Sequence, residues 1–210
     1  MREAAGERVD VPSRWACCGR TLYDSGMLNL AKSTARNVLD VLDEHLDAGR
    51  PIIVPEPSCL AAFRDEVPNL LPDDPRAARL ASLSRSLSEH LVVIGWGPPP
   101  IGAGEHVAVH PHCHQLAGQA TAADRQVLEA CGFDVEVLDT GCCGLAGSFG
   151  YEHDDLSRQI AADRFLPALV EHGAKGLLVL DGFSCELQLD QLAGIASLSL
   201  AELIASRLVS

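Results

Sequence analysis

The chain is short of aromatic residues, at 4%, and of positive charge, with 16 Lys+Arg against 29 Asp+Glu and a formal net charge of −13. The acidic balance excludes a nucleic-acid surface, because a polyanion binder carries a basic face. No apolar run approaches the roughly 18–20 residues that a membrane span needs. The opening MREAAGERVDVPSRW has no apolar stretch of the kind a secretory signal carries, so a cytoplasmic location is expected. What remains is a soluble globular composition, 47% hydrophobic with 18 Gly and 12 Pro over 210 residues, enough for one domain or two small ones.

Cysteine is the residue the chain does have, at positions 17, 18, 59, 113, 131, 142, 143 and 185. In a cytoplasmic chain of this size, metal binding or redox chemistry is a better reading than a disulfide framework. Cys17-Cys18 and Cys142-Cys143 are vicinal pairs, each followed by glycine. Neighbours rarely bridge each other without strain, but they can present two thiolates to one small inorganic cluster.

The sequence repeats itself. Cys17-Cys18-Gly19 returns as Cys142-Cys143-Gly144, and Pro57-Ser58-Cys59 returns as Phe183-Ser184-Cys185, at nearly the same offset. Two markers sharing an offset indicate a duplicated supersecondary unit. The Gly- and Pro-rich segment Gly95–Gly102 reads as a linker, dividing the chain into 1–95 and 96–210.

In the second copy, strands are expected at His106–His110, Phe133–Leu138 and Gly176–Leu180, and helices at Leu116–Cys131, Leu156–His172 and Glu186–Leu192. Strands alternating with helices imply parallel βαβ units, and so an α/β fold of two small parallel-sheet pseudo-repeats. All strand carboxyl ends then share one edge, where open α/β sheets place ligands. Cys113, Cys142-Cys143 and Cys185 each follow one strand, so four thiols are expected there. The first copy reads as a helix over Gly26–Leu46, a strand at Pro51–Val54, a short helix over Leu60–Glu66 and an amphipathic helix over Pro75–Leu91. It has no counterpart of the strand and helix that carry Cys113. Its set, Cys17, Cys18 and Cys59, lacks a fourth thiol, so either the chain is part of a longer one or a partner supplies the rest. Ser199 and Glu202 form a capping box that opens a terminal helix through Leu208.

Four thiolates suit an iron–sulfur cluster, and zinc accepts the same set. Structural zinc sites usually use two tight CxxC knuckles, whereas these ligands come from three strand ends, which suits a larger object. Gly141, Gly144, Gly147 and Gly150 flank the second pair and allow positive φ and close backbone N–H approach to cluster sulfur.

The motifs HPHCHQ (His110–Gln115), GCCGLAGSFGYE (Gly141–Glu152) and DGFSCELQ (Asp181–Gln188) resemble the cysteine-rich CCG domain. That domain occurs in heterodisulfide reductases and in the iron–sulfur subunits of glycolate and lactate oxidases. Cys17–Ala31, Pro55–Glu66 and Leu198–Ala205 extend the resemblance, which is closest to the carboxy-terminal part of large FAD-linked oxidases. It implies an electron-transfer module of a 2-hydroxy-acid oxidoreductase, carrying electrons from flavin to an acceptor. Cys113, Cys142, Cys143 and Cys185 fall on the ligand positions of one [4Fe–4S] cluster, and Cys17, Cys18 and Cys59 on those of a second. Where the heterodisulfide reductase version has CxxC, this chain has Glu56 and Gly182, which favours an ordinary cluster over a five-cysteine one. The flavin domain and the CxxCxxC ferredoxin motifs are absent, so FAD is expected only on a partner chain.

His112 and His114 flank Cys113 and are expected to contact the cofactor as hydrogen-bond donors to cluster sulfide, as are the glycines Gly141, Gly144 and Gly147 through their backbone. Glu56 reads as an acidic loop residue, and Cys131 as core. Two other readings stand beside electron relay. One is a thiol–disulfide enzyme acting on a substrate disulfide. The other is a zinc-bound or metal-free interaction module.

Overall fold

The computed structural model describes residues 5–118, 121–173 and 175–208. The chain divides into two compact units, Arg8–His90 and a second that takes residues 5–7 together with the chain from Leu91 onward. Both are α/β with small parallel sheets.

The later unit is built on three strands, β3 (His106–His110), β4 (Asp134–Val137) and β5 (Leu177–Leu180). They lie in the order β4-β3-β5, all parallel. The valines, leucines and alanine of β3 and β5 are mostly buried, as expected of parallel strands covered on both faces. The crossover after β3 holds α7 (Cys113–Gly118) and α8 (Thr121–Ala130); residues 119 and 120 of the helix expected over Leu116–Cys131 lie outside the described residues. The first begins at Cys113 itself. The crossover after β4 holds α9 (Phe149–Glu152), α10 (Asp154–Ile160) and α11 (Leu166–Gly173). The core joins Ala108, Phe165, Leu169, Leu178, Leu180 and Leu189 with two of the cysteines, Cys143 and Cys185. After β5 come α12 (Phe183–Ala193) and α13 (Leu200–Leu208). The expected capping box is present: Glu202 Oε2 accepts from Ser199 N at 2.8 Å, and Ser199 Oγ from Glu202 N at 3.2 Å. Leu200, Leu203 and Ile204 are buried. The segment expected as a linker is docked at its end. Gly102 N–H donates to the Cys131 carbonyl at 2.8 Å, and a β-carbon on Gly102 would stand 2.6 Å from Phe133 N.

In the earlier unit, α1 (Arg20–Asp24) precedes the long α2 (Leu28–Asp47). Ala31, Ala35, Val38, Leu39, Leu42 and Leu46 are buried on one face of α2, and all but Ala31 form the core with Val67, Leu71, Ala77 and Leu80. Strand β1 (Ile52–Ile53) leads to α3 (Pro57–Ala61), and α4 (Val67–Leu70) and α5 (Pro75–Leu83) follow. The helix expected over Pro75–Leu91 is not continuous. It stops at Leu83, passes through strand β2 (Ser84–Arg85), and restarts as α6 (Leu87–Val93). Strand β2 pairs in parallel with β1, Ile52 with Ser84 and Ile53 with Arg85. Burying that backbone pairing outweighs the helical periodicity of the side chains.

The interruption exposes a third repeat marker. Ser84-Arg85-Ser86-Leu87-Ser88-Glu89 matches Ser197-Leu198-Ser199-Leu200-Ala201-Glu202. Leu198 bridges Val179 in parallel, as Arg85 pairs with Ile53. Val54 N donates to Arg85 O at 2.9 Å, and Leu180 N to Leu198 O at 3.0 Å. Ser86 and Glu89 form the same capping box at 2.7 and 3.1 Å.

Each unit also carries a helix through a proline. Ala62–Glu66 and Ala161–Phe165 are π-helical turns, followed by Val67-Pro68 and Leu166-Pro167. Proline lacks an N–H and crowds the carbonyl four residues back, and a wider turn relieves both conflicts.

Candidate metal centre

The parallel order brings every strand of the later unit to the same edge at its carboxyl end. Cys113 follows β3, Cys142-Cys143 follow β4, and Cys185 lies in the first turn of α12 after β5. The thiols of Cys142, Cys143 and Cys185 form a chain: Cys142 donates to Cys143, and Cys143 donates to Cys185. Cys143 and Cys185 are buried, and Cys142 is exposed. Cys113 stands exposed at the same edge, its sulfur 3.7 Å from His112 Nδ1. Cys142 opens on a cleft of about 480 Å³, lined also by Gly141, Gln159, Ile160, Asp163 and Arg164.

The earlier unit repeats this arrangement with three thiols. Cys59 Sγ donates to Cys18 Sγ at 3.0 Å, and Cys17 also donates to Cys18. The second cysteine of each pair is therefore the hub. The glycine after each pair donates back to the first cysteine, Gly19 N to Cys17 Sγ at 3.5 Å and Gly144 N to Cys142 Sγ at 3.3 Å. Both glycines have positive φ, 78° and 90°. A β-carbon on Gly144 would lie 2.4 Å from the Ser157 carbonyl oxygen, so this turn admits glycine alone. Gly141 and Gly147 also have positive φ, 68° and 66°. The Glu56 carboxylate caps α3, accepting from Ser58 N at 3.2 Å.

Crowding of thiols shapes their protonation. Cys142 is pushed well above the ordinary thiol range, first by its bond to Cys143 and then by burial. On Cys143 the bond from Cys142 acts downward, but the bond to Cys185 and burial outweigh it and push the thiol up to about 12. Cys18 is held down at about 6 by the bond from Cys59, against burial and with help from Arg20 N–H; Cys59 is pushed up by the same bond. Cys131, buried apart from these sets, is raised to about 11 by burial alone, as a core thiol should be.

Several residues that hold the site were not singled out in the sequence. Gln115 accepts from His112 N at 2.8 Å and donates to Asp124 at 2.8 Å, pinning the backbone before Cys113. His110 bonds Thr140 through Nδ1, joining the ends of β3 and β4. Its ring packs edge-on against Phe165 at 5.0 Å, and burial, then His112, depress it to about 3. Gln188 donates to Ser157 Oγ at 3.0 Å behind the glycine turn. Such buried polar residues carry no spacing pattern, so only the fold reveals them.

His112 is buried, and His114 stacks on it at 5.3 Å. The place of its ring explains Gly182. A β-carbon there would stand 2.2 Å from His112 Cδ2. At the position where the heterodisulfide reductase version has a cysteine, this chain has an imidazole filling the space a side chain would take.

These features define a cysteine-rich α/β module built twice, with a thiol hub at one sheet edge of each copy. A family model described as the CCG cysteine-rich domain matches residues 1–64 and 107–190, and the chain belongs to that family. It is 30% identical over 200 residues to lactate utilization protein A of Macrococcus caseolyticus (strain JCSC5402), covering 90% of this chain and 78% of that one. It is 28% identical over 191 residues to the protein of the same name in Bacillus subtilis (strain 168), covering 86% and 77%. A component of the anaerobic glycerol-3-phosphate dehydrogenase of Escherichia coli (strain K12) is 29% identical over 195 residues, 89% of this chain and 48% of that one. No helix among the described residues is long and apolar enough to cross a membrane.

Proposed function

We propose that the chain is an iron–sulfur module of an oxidoreductase, composed of two CCG repeats, 1–95 and 96–210, that relays electrons from a flavin on a partner chain to an acceptor. The observation that carries this reading is the convergence of Cys113, Cys142, Cys143 and Cys185 at the carboxyl ends of three parallel strands. The donor set fits a [4Fe–4S] cluster: four thiols from three elements, two of them buried in an apolar core. The relatives named for lactate utilization and for a glycerol-3-phosphate dehydrogenase support a place in such an oxidoreductase. When bound, the cluster supplies one-electron storage. The four thiolates hold it, the Gly144 amide donates to the Cys142 sulfur, and Leu145, Phe165 and Leu189 exclude water behind it. Gly141, Gly147, His112 and His114 border the site. Exposed Tyr151 and Phe183 flank the cysteines in sequence and offer a partner an apolar landing surface. Anaerobic purification followed by iron, sulfide and visible-absorbance measurement tests the reading. A folded, colourless, iron-free chain after reconstitution would sink it.

A second reading applies to the three-thiol set. Cys18 and Cys59 touch at 3.0 Å in a set with no fourth thiol, which favours a redox dithiol in that unit. Mild oxidation should then remove two hydrogens and block alkylation of Cys18 and Cys59 together. If both stay alkylatable after oxidation, the dithiol reading is wrong.

A further inference from the structure

At the amino-terminal edge of the later sheet, opposite the cysteines, lies a second set of ligating groups. His106 opens β3, Asp134 opens β4 directly beside it in register, Glu136 lies two residues along β4 on the same face, and His172 is near the end of α11. His106 Nε2 stands 3.4 Å from Glu136 Oε2, and His172 Nδ1 stands 3.3 Å from the same oxygen. One ligand atom from each of the three residues lies within 4.8 Å of the other two. His172 Nδ1 is shielded from solvent and makes no hydrogen bond, although it points at this carboxylate. The other nitrogen of His106 is held by Asp134, Nδ1 to Oδ2 at 3.2 Å. With a cation on Nε2, Asp134 would accept the Nδ1 proton, the arrangement by which a carboxylate orients a metal-binding histidine.

We propose that His106, Glu136 and His172 bind a divalent cation of the zinc class, with Asp134 orienting His106. Two imidazoles and a carboxylate suit zinc, and they leave a fourth position to water. The cation ties the starts of β3 and β4 to the end of α11 and so clamps the sheet at the edge away from the thiols.

The test uses the full chain, purified anaerobically, stripped with a chelator and titrated with zinc chloride. The wild type should bind one more equivalent than the His106→Gln/His172→Gln variant, with a Kd of about 1 µM or tighter. Zinc-edge X-ray absorption, taken as the difference between the two proteins, should show nitrogen and oxygen neighbours at about 2.0–2.1 Å and no sulfur at about 2.3 Å. Zinc should also raise the melting temperature of the wild type more than that of the variant. Equal zinc content in both proteins, sulfur in the difference spectrum, or a Kd weaker than about 10 µM overturns the proposal. Glu136→Gln, a change on an exposed side chain, gives the same readings should the histidine variant not fold.

Discussion

Gly182 has one neighbour that decides its identity. With a β-carbon 2.2 Å from the His112 ring, Gly182→Cys should cost about 1–3 kcal/mol through overpacking. Removing the ring as well, in Gly182→Cys/His112→Gly, should recover most of that loss, so a double-mutant cycle by chemical denaturation reads the contact directly. Independent, additive costs would show that the two residues do not compete for space. At the same scale, His110 links folding to pH. The unfolded chain protonates this histidine below about 6.5, while the folded chain keeps it neutral down to about 3. Its stabilising share is therefore complete above 6.5 and declines as pH falls toward 3, with a ceiling of roughly 5 kcal/mol. A His110→Gln variant should show a shallower acid loss over that window, read as the denaturation midpoint against pH.

Helix starts repeat across the two units because the same chemistry opens them. Ser86→Ala and Ser199→Ala should each cost about 1 kcal/mol, measured by denaturation, since each removes the acceptor for the Glu89 or Glu202 amide. A larger loss is expected for Glu89→Ala, because Glu89 also receives Arg64 at 2.6 and 3.1 Å, and Arg64 holds the Ser84 carbonyl at 2.9 Å. This also gives Arg64 its part: it locks strand β2 to the helix that follows. The period of apolar residues made the long helices legible, but it ran through Ser84–Arg85 without a break. The signal that did exist was the Ser-x-Ser-Leu-x-Glu pattern, which marks a strand ending in a capped helix.

Over the whole molecule, cysteines of identical composition take three different places. Cys143→Ser should remove the iron held by the later unit, whereas Cys131→Ser should leave iron content unchanged and lower stability by about 1–3 kcal/mol, because it buries a hydroxyl in an apolar site. Iron analysis and melting temperature together separate the two outcomes. Loss of iron from Cys131→Ser would contradict its place in the core. The repeat offset predicted which cysteines belong together, since the same βα unit places its markers alike in both copies. It said nothing of Gln115, Thr140, Ser157 and Gln188, which position the site through single contacts between elements distant in sequence.

By itself the sequence determined the class of fold and set a cysteine after each strand of the later sheet. Those follow from local order: a strand, a cysteine at its carboxyl end, a crossover, and a strand again. Tertiary structure alone decided that the second cysteine of each pair is the hub, that an imidazole occupies the space left by Gly182, and that two histidines and a glutamate meet at the far edge of the sheet. These depend on strand register and on which helix face covers which strand. Parallel pairing brings residues from separate crossovers within bonding distance, and no spacing along the chain encodes that distance.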